Sequence, residues 1–241
     1  MKKQISSVAN MLDIPASKLR YWDKKGLIRF ERDLENNYRV FSNQTIMDIC
    51  DIIFYRDLYM PIKDIQELYS KEYFDLNELF QENKKSLLNQ ISKLEKSVEK
   101  IDKRIEALNT IEKLKSEGFK IEKYKLKEIN HFDFENQSHV ESYLENPEET
   151  IIFVSPKEGD KFKYGIFSEY GKTIREKDSG LNLYLVGLFW VSTEDKISNL
   201  QEFIDKAKEL NYIPGSLVGE YLITTGKDIK TDYYIGRMEL K

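Results

Sequence analysis

The stretch that decides the fold lies in the first 41 residues. Ser6-Ser7-Val8-Ala9-Asn10-Met11-Leu12 is followed by Leu19-Arg20-Tyr21-Trp22-Asp23-Lys24-Lys25-Gly26-Leu27-Ile28, and then by Asn37-Tyr38-Arg39-Val40-Phe41. Val8, Met11 and Leu12 recur at helical spacing behind a serine suited to capping, so a short first helix is expected there. Ile14-Pro15 breaks the chain, and Ser17 to Lys25 predicts a second short helix that Gly26 ends. Two short helices joined by a tight turn form a helix-turn-helix. In that unit the first helix braces the second, which lies in the major groove of DNA. Ser17, Lys18, Arg20 and Tyr21 are the side chains of the second helix suited to base edges and phosphates. Asn36-Asn37 is a turn signal between Arg29-Phe30 and Tyr38-Arg39-Val40-Phe41, which predicts a hairpin, or wing. Arg32, Tyr38 and Arg39 on the wing would hold phosphates, fixing register without reading sequence.

Charge agrees with this reading. Residues 1 to 40 carry nine Lys or Arg against five Asp or Glu, a net of +4, in a chain of 241 residues whose total is −4. A local basic face on an acidic protein suits phosphate contact without indiscriminate binding. The −5 carried by residues 119 to 241 disfavours a general architectural DNA coat.

The head resembles the MerR family of transcription regulators. The resemblance rests on Ile5-Ser6-Ser7-Val8-Ala9, on Leu19-Arg20-Tyr21-Trp22-Asp23, on the wing run Asn37-Tyr38-Arg39, and on Tyr59-Met60-Pro61-Ile62-Lys63-Asp64-Ile65, which matches the family's second helical pair. It covers about the first 75 residues. Trp22 stands where the family usually has tyrosine, Ser6 and Asn37 where it has glycine. The resemblance implies that Trp22 and Arg56 also belong to the DNA-contacting set.

From Asn83 to Lys115 the chain changes character. Leu87, Ile91, Leu94, Val98, Ile101, Ile105 and Leu108 alternate by four and three residues, with Lys and Glu between them and no Pro or Gly before Gly118. This is a heptad seam. Some 33 helical residues span roughly 50 Å, too long for one small domain to cover, so a partner helix is expected. A two-fold homodimer would present two heads to the half-sites of a palindrome.

Beyond about Phe119 the pattern becomes one of aromatic and β-branched runs. Strands are predicted at Ile151 to Val154, Lys163 to Phe167, Leu183 to Val191, Tyr221 to Thr224 and Tyr233 to Met238. A single helix, from Leu200 to Leu210, interrupts them. The ending resembles the GyrI-like effector-binding domain that several MerR relatives carry, including multidrug-responsive members. That likeness implies a cup for a small lipophilic, often cationic, effector, with Glu220 as its carboxylate and Tyr164, Phe167, Tyr184, Trp190 and Tyr221 as wall candidates. A carboxylate among aromatic faces meets an organic cation by charge and by cation–π attraction. Period-2 alternation allows only about half of such rings to face one side of a sheet.

The expected architecture is therefore a multidomain α+β chain. A winged helix-turn-helix occupies 1–75, a linker and coiled-coil dimerisation helix 76–118, and a GyrI-like α+β domain 119–241. The resemblance implies a homodimeric transcription regulator whose partners are double-stranded promoter DNA, a small-molecule effector and, indirectly, RNA polymerase. Effector binding would distort the DNA and so alter transcription. The alternative is hydrolase activity in the GyrI-like domain, against which stand the missing Ser-His-Asp spacing, phosphate loop and metal cluster. No enzyme activity, cofactor or metal is expected. His131 and His139 lie eight residues apart with no cysteine nearby, and Cys50, the single cysteine, fits an apolar helical pattern and reads as packing. With no signal peptide or membrane span, a cytoplasmic location and no membrane contact are expected.

Overall fold

The computed structural model describes residues 5–32, 39–68, 70–155, 161–167, 171–226 and 229–241. They fall into two compact units, Met1–Ser97 and Val98–Lys241.

In the first unit, α1 (Ile5–Met11) and α2 (Ala16–Lys24) are joined by a turn in which Asp13 takes a left-handed φ of 51° and Pro15 supplies the extended residue before α2. Ser6 and Ser7 sit inside α1, so neither caps it. Gly26, at φ +73°, ends α2: its N–H bonds the Asp23 carbonyl, and Leu27 N–H bonds that of Trp22. Strands β1 (Glu31–Arg32) and β2 (Arg39–Val40) pair antiparallel as the base of the wing, whose tip lies outside the described residues. Helix α3 (Asn43–Asp57) starts at Ser42, whose Oγ accepts the Thr45 N–H at 3.1 Å, and α4 (Ile62–Leu68) follows. Val8, Leu19, Trp22, Ile28, Ile49, Ile52, Met60 and Ile65 make one core. Cys50 is exposed on α3 rather than packed, because the inward face is taken by Ile49 and Ile52.

Helix α5 runs from Tyr73 to Glu117, 45 residues, longer than the heptad stretch alone. It uses two faces. Ala107, Ile111 and Leu114 are buried against Leu222 of its own domain. The heptad line is a different face: Ile91, Leu94, Val98, Ile101, Ile105 and Leu108 are each 46 to 65% exposed. Among the described residues no element buries this line.

The second unit is built on an eight-stranded, wholly antiparallel sheet of order β3-β8-β10-β9-β5-β6-β4-β7. Its strands are β3 (Lys120–Tyr124), β4 (Ile129–His131), β5 (Thr150–Val154), β6 (Lys163–Phe167), β7 (Thr173–Arg175), β8 (Asn182–Ser192), β9 (Pro214–Thr225) and β10 (Thr231–Leu240). Helices α6 (Gln137–Glu145) and α7 (Leu200–Glu209) complete it. The α+β expectation holds. Strands β3, β4 and β7 and helix α6 were not foreseen.

A row of glycines sets how closely α7 approaches the sheet. Gly187, Gly236 and Gly219 are register partners across β8, β10 and β9. A Cβ on Gly236 would lie 2.6 Å from the Phe203 ring and 2.7 Å from Phe189 Cβ, and one on Gly187 3.4 Å from the Phe203 ring, so these two missing side chains are the seat of the buried Phe203, while Gly219 leaves room for Ile152 and Tyr234. Elsewhere the fold is pinned by a polar knot. The Asp178 carboxylate accepts bonds from Arg175 (2.7 Å), the Tyr184 hydroxyl (2.7 Å) and Leu126 N–H (2.8 Å). Burial alone would raise the Asp178 pKa, but these three donors overcome it and hold the carboxyl below its ordinary value. Gly236→Ala should destabilise this unit by about 1–3 kcal/mol through overpacking, read as a lower urea midpoint.

Candidate DNA-binding head and ligand cavity

The sequence-predicted residues of the head divide by the helical period of α2. Ser17, Lys18, Arg20 and Tyr21 are exposed, whereas Leu19 and Trp22 point inward. Trp22 is 1% exposed, so its ring belongs to the core and cannot be a contact surface for DNA. Lys18, on the outer face, places its ammonium 5.7 Å from the Trp22 ring centroid. The head also exposes Lys24, Lys25 and Arg29, basic positions that the motif reading had passed over.

Arg39 is held by the protein itself. Its Nε and Nη2 donate to Asp23 Oδ2 at 2.9 and 2.6 Å, and its guanidinium carbon lies 5.7 Å from the Phe30 ring centroid. Both donors converge on one carboxylate oxygen, and this charge-assisted pair between β2 and the last turn of α2 fixes the angle between wing and helix. Arg39 is thus better described as positioning the wing than as a free phosphate clamp. Arg56 donates to the Met60 carbonyl and closes the turn between α3 and α4. Arg32 is exposed on β1, and Tyr38 lies outside the described residues.

The predicted ligand residues do not come together. Glu220 and Tyr221 are neighbours on β9, so their side chains leave opposite faces of the sheet. Glu220 meets Arg237 at 2.6 Å, with side-chain exposures of 20% and 11%, and the Arg237 guanidinium lies 4.4 Å from the Tyr124 ring centroid. Its charge is therefore already matched by a residue 17 positions away. Tyr184 is buried in the Asp178 knot, where burial and the Asp178 carboxylate push its pKa up, and Phe167 pairs with Ile129 across β6 and β4. Trp190 lines a separate cleft with Leu114, Phe119 and Tyr233.

Tyr164 and Tyr221 do share a cavity, on the face away from Glu220. It measures about 360 Å³ and is walled by Phe132, Tyr143, Tyr164, Tyr221 and Tyr234, with Asp232 and Thr224 among its polar groups. A β-bulge makes this possible. Register slips between Tyr233 and Tyr234, where Tyr234 opposes Tyr221 but Tyr233 opposes Ile223, so Leu222 is the extra residue. The slip turns both Tyr221 and Thr224 to the same face, which strict alternation would forbid. Their hydroxyls meet at 2.7 Å, and Thr224 Oγ1 donates to Asp232 Oδ1 at 2.6 Å. Tyr234 donates to Asp232 Oδ2 at 3.3 Å, and burial, foremost, pushes its pKa up so that it keeps its proton. Helix α6 closes one side with Val140 and Tyr143. It had a legible signal: Asn136, whose Oδ1 accepts Ser138 N–H at 3.0 Å, then Val140, Tyr143 and Leu144 at helical spacing, then Pro147. Among the described residues no cluster of three or more His, Cys, Asp or Glu is placed to hold a metal, and His139 Nδ1 accepts the Asp133 N–H at 3.0 Å.

Residues 4–72 match the family described as MerR HTH family regulatory protein. The HTH-type transcriptional regulator SkgA of Caulobacter vibrioides is 26% identical over 123 residues, which cover 49% of this chain and 48% of SkgA. The chain thus spans about half the length of the curated relatives it matches. Among solved structures, a MerR-family transcriptional regulator from Bacillus cereus is 19% identical with a TM-score of 0.41, over 44% of this chain and 81% of that one. The EcmrR–DNA complex in EcmrR-RPo is 13% identical with a TM-score of 0.39, over 98% and 99%.

The division of α2 into two faces has a direct test. Trp22→Ala should cost the head about 3–5 kcal/mol of stability, whereas Arg20→Ala on the outer face should change it by no more than about 0.5 kcal/mol. Thermal unfolding of both variants, followed by circular dichroism, reads the difference.

Proposed function

We propose that this chain, whose head matches the MerR HTH family over residues 4–72, is a homodimeric regulator of transcription. It binds two-fold symmetric promoter DNA and answers to a small lipophilic effector held by its C-terminal domain, of GyrI-like type. The single observation that carries the reading is an exposed recognition helix joined in one chain to an uncovered heptad seam. Ser17, Lys18, Arg20 and Tyr21 face outward on α2. The wing is locked to the end of that helix by Arg39 and Asp23. Two such heads bind a palindrome only when a dimer fixes their separation, and the seam supplies a reason to dimerise.

Regulation then follows from linkage. An effector shifts the equilibrium between two arrangements of the dimer only to the extent that it binds one of them better. Helix α5 is suited to carry the difference. Its buried face packs on the effector domain through Ala107, Ile111 and Leu114, while its other face holds the seam. A change in the first displaces the second. The altered dimer would distort the bound DNA and change how RNA polymerase engages the promoter. No helix among the described residues is long and apolar enough to cross a membrane.

Ile91, Val98 and Ile105 replaced together by lysine should yield a monomer in sedimentation velocity with unchanged helical content. Affinity for symmetric promoter DNA should fall at least tenfold, as one head loses the help of the other. A dimer that persists in this variant would contradict the reading.

A further inference from the structure

The strand that covers one edge of β8 stops short. β3 pairs with β8 only from Asn182 to Val186, because the chain enters β3 from the end of α5 through Gly118, held at a left-handed φ of +66°. Beyond Val186 that edge of β8 opens into a cleft of about 490 Å³ between the last turn of α5 and the first turn of α7. The backbone groups of the edge are answered by one side chain. Asn199 Oδ1 accepts the Trp190 N–H at 2.9 Å, and Asn199 Nδ2 donates to the Leu188 carbonyl at 3.0 Å. An added strand would find these ladder positions taken, so the cleft is left to a small molecule.

Rings and two opposite charges line this cleft. Phe119, Trp190 and Tyr233 supply the aromatic surface. Lys115 of α5 holds its ammonium 5.7 Å from the Tyr233 ring centroid, and Glu202 of α7 stands on the other side. Among the described residues neither charge has an ion-pair partner; the Glu202 carboxylate meets the Asn199 amide at 3.4 Å. Each sits at the helix end that favours its sign, the lysine in the last turn of α5 and the glutamate in the first turn of α7.

From this arrangement we propose a further small-molecule site, separate from the cavity that α6 closes, which takes an aromatic amino acid in its zwitterionic form. Its carboxylate pairs with Lys115, its ammonium with Glu202, and its ring lies against Trp190 and Tyr233. The alternatives fit less well for stated reasons. An aromatic acid would bring a like charge to Glu202, an aromatic amine would bring one to Lys115, and an aliphatic zwitterion would forgo the rings. The volume lies within the range of small-molecule sites. An occupant touches Leu114 and Lys115, so it bears on the turn through which α5 joins the sheet. The proposal goes beyond the regulatory reading and stands without it.

The chain has two tryptophans, Trp190 in the cleft and Trp22 in the core of the head, which gives the test a built-in control. Fluorine NMR of the full-length protein labelled with 5-fluorotryptophan should show one resonance for each, assigned with Trp190→Phe. L-Tryptophan should move the Trp190 resonance saturably and leave that of Trp22 in place. Tryptamine, which lacks the carboxylate, and indole-3-propionate, which lacks the ammonium, should each bind about fivefold more weakly, the scale of one solvent-exposed ion pair. Lys115→Gln should weaken L-tryptophan by about the same factor without weakening tryptamine, and Glu202→Gln should do so without weakening indole-3-propionate. Both positions are exposed, so these variants keep the fold. A Trp190 resonance that ignores L-tryptophan, equal affinity for the three probes, or charge variants that bind L-tryptophan as the wild type does would overturn the proposal. No DNA is present in this assay, so a negative result leaves the DNA-binding reading intact, and failure of that reading leaves this result unaffected.

Discussion

Six large aliphatic side chains, half exposed along one line of one helix, cannot be left in water at no cost. Ile91, Leu94, Val98, Ile101, Ile105 and Leu108 each forgo on the order of 1 kcal/mol of burial, so two such helices facing each other recover roughly 10 kcal/mol. That is the scale of the translational and rotational entropy lost on association. The seam therefore makes a dimer reachable without making it rigid, which is the regime in which a ligand worth a few kcal/mol can alter the arrangement. The rest of the chain hangs on this helix: α5 begins among the core residues of the head, through Leu76 and Leu79, and ends buried on the sheet of the second unit.

On that sheet, two local departures from regularity do most of the shaping. Gly187 of β8 and Gly236 of β10 remove side chains on one face so that Phe203 can seat α7. Three residues beyond Gly219 on β9, the bulge at Leu222 turns Tyr221 and Thr224 to the same side and leaves the Leu222 carbonyl for Arg104. Cavity wall and α5 are thereby tied to one irregular residue. The opposite face carries ion pairs, Glu220 with Arg237 and Asp178 with Arg175.

What the sequence discloses about this protein is what depends on local period and punctuation. Helix α2, ended by Gly26, strand β6 at Lys163 to Phe167, helix α7 from Leu200 and the heptad line all rest on spacing alone, and the structure has them there. Trp22 shows the first failure: a motif places it beside Arg20 and Tyr21, but the 3.6-residue period turns it into the core. Cys50 fails the same way in reverse, apolar in company but outside in fact. Glu220 fails for a different reason, because its partner Arg237 is brought to it by strand pairing, which no local pattern encodes. Helix α6 was missed although Asn136 and Pro147 bracket it, since none of its nine residues is buried and its apolar face is short. The wing tip, with Tyr38, lies outside the described residues.

The central claim, that this is a dimeric reader of symmetric DNA, is tested most directly by selecting bound duplexes from a random pool with the purified full-length protein at physiological salt. The account predicts enrichment of one two-fold symmetric motif with a fixed distance between half-sites. A pool that stays random, or that yields only a single asymmetric half-site, would contradict it.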